Sequence, residues 1–590
     1  MAYQNIYIKR SKTSNEVHLW DDQIGYQKFT YKPYAYMKSG TGTYRSIYGD
    51  KLKKVNFWSG EDLQKGRVFE SDIPIETRVL VDRYGESDEV SSGHKVMMFD
   101  IEVEVTGGFP DPKEARNKIT AIAIYDKTMD DYYCFVLGDV KDRKKDNIKI
   151  ESFQSEEELL QRFYQKYLEI SPTILTGWNI DGFDIPYLYN RTVRVMGHQI
   201  ANALSPIGIV NYSEHKNRYK IAGVSSLDYL PLYKLYNYTQ KSSYRLDAIG
   251  QDEVGIGKVE YEGTLDDLYR DDIEKFIDYN LNDVVIVKAL DDKLKFIELA
   301  MSIAHVGHVP YEDVFFSSRY LEGAILVYMQ KLGVIAPNKQ LDARQKMDDG
   351  VKFTGAWVKD PIPGRYDWVY DLDLTSMYPS IIMSLNISPE MKIGKLDGWS
   401  AEEFIKNETK TYSFNRKGKV EMVNGDELKE IFKNNKVSIS SNGVLYRNDK
   451  KGLIPSILEK WFNERVEFRK LMKKYGDEND TSQYEYFKKR QLVQKIMLNS
   501  LYGVLGLPVF RFYDVDNAEA TTTTGVELIK FTEKMGNYYY NNEIGGEYEI
   551  ELEDGSIKKL YGNTLIKVNR CGDIRDILVK DLKKDDDFLC

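Results

Sequence analysis

The sequence predicts a multidomain chain of α/β and α+β architecture, and three observations predict it. The 590 residues correspond to about four domains at roughly 150 residues each. Residues 96–310 alternate strand-like runs with amphipathic helical ones, the pattern of layered α/β folds. Two helical stretches, 454–475 and 482–502, flank the turn GDENDTS and read as a helical hairpin. Hydrophobic residues make up 42% and charged residues 29%. That balance supplies several cores and excludes a disordered chain.

Composition also excludes some functional classes. No apolar run approaches the ~18 residues of a membrane helix. The start, MAYQNIYIKRSKTSNEV, has neither a signal-peptide core nor an Arg-rich transit pattern. Three cysteines (Cys134, Cys571, Cys590) with no CxxC pair, and six histidines, leave no disulfide framework or zinc cluster. A cytoplasmic location is expected. The net charge of -10 argues against a simple basic nucleic-acid coat. It is compatible with a nucleic-acid enzyme that concentrates Lys and Arg along one groove. The 44 tyrosines suit base stacking and equally suit ordinary core packing.

Residues 1–95 mix short β-like runs, NIYIKR and RVLVDRY, with turns. KVMMFDIEVEV, KITAIAIYD and ILTGWN read as strands of the α/β region. SEEELLQRFYQKYLEI reads as a helix opened by Ser155 and a run of Glu. The stretch from Asp271 to Ala304 reads as one long amphipathic helix. RYDWVYDLDL (365–374) is again a strand, and 391–452 mixes loops with short strands. After Gly545 the text turns to short alternating strands joined by turns.

Two constellations carry chemistry. In the first, Asp100 and Glu102 stand at i and i+2 of a strand and share one face. Alone, the pair also fits solvent-facing alternation. Asp184 lies at a turn in GWNIDGFDIPYL, where an acid is often a helix cap. Asp283 lies in a helix, four residues after Tyr279 and on the same face; alone it also fits a solvated acid. Together the four acids suit hard cations, Mg²⁺ or Mn²⁺, since no Cys or His accompanies them. Two such ions about 4 Å apart can activate water and stabilise the leaving oxygen of a phosphodiester. Tyr279 is placed to help orient that water.

In the second, DLDLTSMYPSII (371–382) follows the strand RYDWVY. Asp371 and Asp373 share a strand face, so spacing does not choose between them. Arg465 and Arg469 are four apart on one helix; Lys495, Asn499 and Tyr502 are spaced by four and three on the next. A hairpin presenting Arg, Lys and Asn toward one cleft suits a triphosphate. Basic stripes on helices are also ordinary solvated faces.

These strings resemble the motifs of family B DNA polymerases. DIE, N-x-x-x-F-D (Asn179 to Asp184) and Y-x-x-x-D (Tyr279 to Asp283) resemble the three exonuclease motifs in order and spacing. The resemblance implies a ribonuclease H-like 3′–5′ proofreading exonuclease domain with Asp100, Glu102, Asp184 and Asp283 as metal ligands. D-L-T-S-M-Y-P-S resembles motif A. It selects Asp373 as the residue holding both metals, with the carbonyl of Leu374 assisting. Ser376, Met377 and Tyr378 would cradle the triphosphate through backbone N–H groups, and Tyr378 would exclude a 2′-hydroxyl. K-x-x-x-N-S-x-Y-G resembles motif B. It marks Lys495 and Arg465 as phosphate binders and Asn499 with Tyr502 as the lining against the nascent base pair, where Gly503 permits close approach.

FPDPKEA, LDYLPLYK, TGAWVKDPIPGRYDWV and FRFYDVDNAEATT bring the resemblance closest to the T-even phage replicative type, over roughly residues 1–545. The implied organisation is an N-terminal domain (1–95), exonuclease domain (96–305), a return to the N-terminal domain (306–360), polymerase palm (361–452 and 508–545) and compact helical fingers (453–507). Residues 546–590 are left as a β-rich insert or tail. Implied cofactors are two Mg²⁺ or Mn²⁺ ions per site, and implied partners are primer-template DNA and dNTPs.

One departure stands out. Motif C, D-T-D, is expected some fifty residues beyond Gly503, and the nearest text is YGNTLI (561–566), with Asn563 and Leu565 where acids would stand. No thumb follows before Cys590. The expectation is a DNA-directed DNA polymerase of viral replication whose motif C and thumb reside in a second chain, which would also bind a sliding clamp. The alternatives are an exonuclease-only fragment or a DNA-binding subunit.

Overall fold

The computed structural model describes residues 1–11, 14–57, 68–105, 108, 110–214, 217–340, 342, 345, 355–365, 372–406, 410–416, 418–433, 436–539, 547–551, 557–561, 564–570, 573–579 and 587–588. The chain forms two compact units. The first contains Met1–Gly350 and Glu459–Tyr513; the second contains Val351–Leu458 and Asp514–Cys590.

In the first unit, Tyr3–Arg10, Asn15–Asp21 and Gly25–Thr30 form an antiparallel sheet. A second sheet runs in the order Val334–Ile335, Tyr44–Ser46, Lys51–Asn56, Tyr34–Lys38, Val68–Phe69. Its edge pairs Ile335 with Ser46, so the chain returns to its N-terminal region after about 290 residues. The β-like reading of RVLVDRY is corrected: it lies in the helix Ile75–Tyr84. Pro74 precedes the helix and Glu76 sits in its first turn, both helix-start signals. The buried Arg78–Glu70 ion pair, 2.8 Å, then holds one face inward. These outweigh the strand preference of its valines.

The central element is a seven-stranded sheet. Its order is Arg143–Lys145, Ile148–Phe153, Asp131–Leu137, Ile119–Asp126, Val96–Val103, Ile174–Thr176, Ser225–Ser226. Val96–Val103 pairs antiparallel with Ile119–Asp126 and parallel with Ile174–Thr176. Helix Glu156–Ile170 covers one face with Leu159, Leu160, Phe163 and Tyr167. Ser155 caps it in a reciprocal capping box with Glu158, as the sequence predicts. Gly177 comes so close to the sheet that a Cβ there would meet the Phe99 carbonyl at 2.5 Å. The residue type sets that approach.

The long helix expected from Asp271 to Ala304 is two helices, Ile273–Leu294 and Phe296–Gly307. The break is Lys295, at φ 56°, a left-handed position that neither Gly nor Asn announces. Phe296–Gly307 then packs on Ser317–Lys331 through facing glycines: a Cβ on Gly323 would lie 1.9 Å from the Gly307 carbonyl oxygen.

The helical hairpin forms as predicted, by Leu453–Asp477 and Thr481–Leu505. Phe468 and Tyr475 pack on Phe487, and Gln494 donates to Glu464 at 2.8 Å. Within the first unit, Arg490 pairs with Asp88 at 3.1 Å and Ser500 meets the Tyr320 hydroxyl at 3.0 Å.

In the second unit, residues 391–452 are more regular than their polar text suggests. They hold an antiparallel sheet ordered Lys419–Asn424, Thr411–Arg416, Lys392–Asp397, Val444–Arg447, Val437–Ile439. Leu396, Tyr412, Leu428 and Leu445 form its core. Lys392 and Lys395 tie the sheet to Asp514, Asp516 and Glu519 around the start of helix Val515–Tyr539. The tail holds short antiparallel strands: Glu547–Glu551 with Ile557–Tyr561, and Leu565–Arg570 with Asp573–Leu578 and Asp587–Phe588. The strand expected over 365–374 lies mostly outside the described residues, as do Asp371, Asn563, Cys571 and Cys590; Leu372–Leu374 carry no strand pairing.

Candidate functional site

The first constellation assembles on the seven-stranded sheet. Strand alternation puts Asp100 and Glu102 on one face, opposite Ala123 and Ala121 of the neighbouring strand. Those small side chains leave room for helix Ile273–Leu294 to lie on that face and bring Asp283 and Tyr279 over the acids. Carboxylate oxygens of Asp100, Glu102 and Asp283 lie within 4.8 Å of one another. Asp184, read from the sequence as an acid at a turn, is the first helical residue of Asp184–Met196, and Phe183 holds the cap position. Asp184 Oδ1 accepts the Ile101 backbone N–H at 3.0 Å, which fixes it beside the same strand. All four sequence-predicted acids thus converge on a cleft of about 1570 Å³. Trp178, Phe183, Tyr244 and Tyr261 line it with aromatic surface.

The electrostatics of the cluster are extreme. Burial, then repulsion from Asp283, Asp184 and Glu102, holds the Asp100 carboxyl well above the usual range. Burial and Asp283 push Glu102 up to about 8. Burial raises Asp184 to about 7 despite the Ile101 N–H. Asp283 is also raised by burial, with Lys258 opposing. Repulsion among acids that share a site is what a multivalent cation relieves. The fit to such a cation has direct support: Asp283 Oδ1 is buried with no hydrogen-bond partner. The donor set is all oxygen, suited to Mg²⁺ or Mn²⁺.

Two neighbours escaped the sequence reading. Asn280, fully buried, donates its Nδ2 to Asp100 Oδ2 at 2.9 Å, with the buried Cys134 thiol against its carbonyl. Its signal was there, since Asn280 follows Tyr279 and a buried carboxamide on the sheet-facing side must have a partner. Lys258 donates to Asp283 Oδ2 at 2.5 Å and to the Tyr279 hydroxyl at 3.0 Å. Nothing in the loop GIGKVE marks that lysine. Tyr279 also packs edge-on against Tyr261, ring centroids 5.4 Å apart. Its hydroxyl is pushed up to about 12 by burial and stays a neutral phenol.

The second constellation is divided between the two units. In the second unit Asp373 and Leu374 are exposed, and Ser376 adopts φ 50° at the N-cap of helix Met377–Leu385. Tyr378 leans on Gly525 of Val515–Tyr539, where a Cβ would stand 3.1 Å from its ring and 3.3 Å from Met377. Gly525 is a further position the sequence reading missed. Among the described residues, Asp373 joins no cluster of three metal-ligating side chains. In the first unit, Arg469, Lys495, Asn499 and Gly503 are exposed on the hairpin and Tyr502 is half-buried. Arg465 is half-buried, and its Nε has no hydrogen-bond partner. Burial and the adjacent Arg469 lower its pKa. A guanidinium with a buried, unpartnered Nε–H beside a second guanidinium is suited to an anion.

Residues 316–568 match the family model for DNA polymerase family B. Residues 60–249 match that for the DNA polymerase family B exonuclease domain. The chain is 29% identical to the DNA-directed DNA polymerase of Escherichia phage RB69, covering 90% of this chain and 66% of that protein. It is 29% identical to the DNA-directed DNA polymerase of Enterobacteria phage T4, covering 88% of this chain and 64% of that protein. A more distant similarity, 27% identity, extends to the DNA polymerase delta catalytic subunit of Bos taurus over 70% of this chain and 35% of that one. The chain therefore spans just under two thirds of the length of the phage relatives it matches.

Proposed function

We propose, from the premise that this chain belongs to DNA polymerase family B, that it removes nucleotides from DNA 3′ ends by metal-dependent hydrolysis and contributes to template-directed DNA synthesis. One observation carries the nuclease reading: Asp100, Glu102 and Asp283 converge in an aromatic-walled cleft and leave Asp283 Oδ1 buried and unpartnered. Asp100, Glu102, Asp184 and Asp283 would hold two divalent ions. Such ions, when bound, supply charge stabilisation at the reacting phosphate and ease deprotonation of water.

The protein's own groups do the rest. Ile101 N–H and Asn280 hold Asp184 and Asp100 in place. Neutral Tyr279, its oxygen fixed by Lys258, keeps its O–H free to donate to a water poised over the strand. Trp178, Phe183 and Tyr261 offer faces for bases drawn out of the duplex.

For synthesis, Asp373 would bind metal, Ser376, Met377 and Tyr378 would hold the incoming dNTP, and Arg465 with Lys495 would bind its phosphates. The unpartnered Arg465 Nε supports that role. A narrower reading, nuclease activity alone, is favoured because Asp373, among the described residues, belongs to no cluster of three metal-ligating side chains. A 5′-labelled primer-template in Mg²⁺, with and without dNTPs, separates the two: shortening alone supports the narrower reading, and extension supports both activities. Asp100→Ala with Glu102→Ala should abolish shortening with little loss of DNA affinity. Undiminished shortening in that double variant refutes the metal assignment.

A further inference from the structure

Asp100, Glu102, Asp184 and Asp283 all line the nuclease cleft, and among the described residues the ammonium of Lys258 bonds to one of them, Asp283. The lysine's backbone is fastened: Lys258 N–H donates to Asp247 at 2.7 Å, and the Gly257 carbonyl accepts from Asn282 at 2.9 Å, one residue before Asp283. The side chain above this anchor is a four-carbon stem whose tip can swing without moving the loop. At present the tip takes Asp283 Oδ2 and the Tyr279 hydroxyl and lies 4.7 Å from the Tyr279 ring centroid. The other oxygen of that carboxylate is the buried, unpartnered Oδ1.

Asp283 is therefore half used, and by a monovalent cation. A divalent ion reaching Asp100, Glu102 and Asp283 gains from three carboxylates; the ammonium bonds to one. The two cations also repel each other across a few ångströms. Tyr279 offers the ammonium a second hold, through its oxygen and its ring face.

We propose that Lys258 is a resident counter-ion that competes with divalent metal for Asp283: without metal it keeps that carboxylate seated, and metal loading displaces it. The proposal rests on the reading of the cluster as a metal site. Lys258 acts through Asp283 and is a positioning residue.

The test is Mn²⁺ binding to the full chain without DNA, followed by the electron paramagnetic resonance of free Mn²⁺. Sites lost in Glu102→Gln belong to this cluster. Lys258→Met should tighten those sites by about tenfold or more, because a nearby like charge is removed. Lys258→Arg should not tighten them. Structural damage alone would weaken binding, so the direction of change discriminates. Equal or weaker affinity in Lys258→Met overturns the proposal.

Lysine labelling of the wild-type chain, read by mass spectrometry, makes the same test without a variant. Ca²⁺ should raise Lys258 reactivity severalfold, and unchanged or reduced reactivity overturns the proposal. If Glu102→Gln removes no Mn²⁺ site, the metal-site reading fails, and the proposal with it.

Discussion

Replacing Glu102 with Gln should stabilise the metal-free protein at alkaline pH and destabilise it, relative to wild type, once metal is present. The folded site raises Glu102 from 4.5 to about 8, chiefly through burial and Asp283. The folded state thus binds more protons than the unfolded state across that window. Stability is retained below the unfolded pKa and falls as pH rises through the folded one. Each pKa unit corresponds to about 1.4 kcal/mol. Protons redistribute among neighbouring carboxylates, and Gln keeps part of the desolvation cost, leaving a net gain of about 2 kcal/mol at pH 8.5. For the compact unit of about 400 residues that holds Glu102, that is a rise in Tm of about 2–3 °C. At pH 5 the advantage should vanish. Saturating Mn²⁺ reverses the order: wild type gains about 2.7 kcal/mol at a hundred times Kd, and the variant gains much less. Differential scanning fluorimetry in EDTA and in Mn²⁺, at pH 5 and 8.5, reads all four conditions. A Tm difference independent of pH, or equal Mn²⁺ gains in both proteins, refutes the reasoning.

Two further outcomes follow from side chains outside the cluster. Asn280→Leu removes the donor that orients Asp100, so single-strand shortening should slow by about 10–100-fold, the usual cost of losing an outer-shell partner; an unchanged rate would show that Asp100 is held by other means. Arg511, fully buried, pairs with Asp72 and Glu322 at 2.6 Å each and donates to the Pro337 carbonyl at 2.7 Å, so Arg511→Met should cost about 3–5 kcal/mol by stranding those carboxylates, measured by urea unfolding against wild type.

The legible parts of the sequence were those in which one local pattern carried the information. The i, i+2 acids of VMMFDIEVEV sit on one strand face because alternation requires it, and Ser155 with Glu158 caps its helix by short-range chemistry alone. RVLVDRY misled because valine runs favour strands, whereas the deciding interaction, Arg78 with Glu70, joins a helix to a loop eight residues away. Lys295 carried no sign of its left-handed turn, since Lys has no intrinsic preference for it. Lys258 and Gly525 were invisible for a related reason. Each matters through a partner 21–25 or about 150 residues distant, Tyr279 with Asp283 and Tyr378 respectively.

The structure also shows that the four clustered carboxylates are not equivalent, which their motifs could not reveal. Asp184 is held by a backbone N–H, Asp100 by a buried carboxamide and Asp283 by an ammonium. Among the described residues Glu102 has no hydrogen-bond donor, although Asp283 and Asp184 both repel it. A backbone amide cannot be displaced without unfolding the strand, a carboxamide can rotate, and an ammonium on a flexible stem can leave. The restraint on the acids therefore weakens from Asp184 through Asp100 to Asp283, and Glu102 would depend most on a bound cation for both its charge state and its position. Metal loading then acts chiefly on Glu102 and Asp283, which is where a substitution should alter metal affinity before it alters the fold.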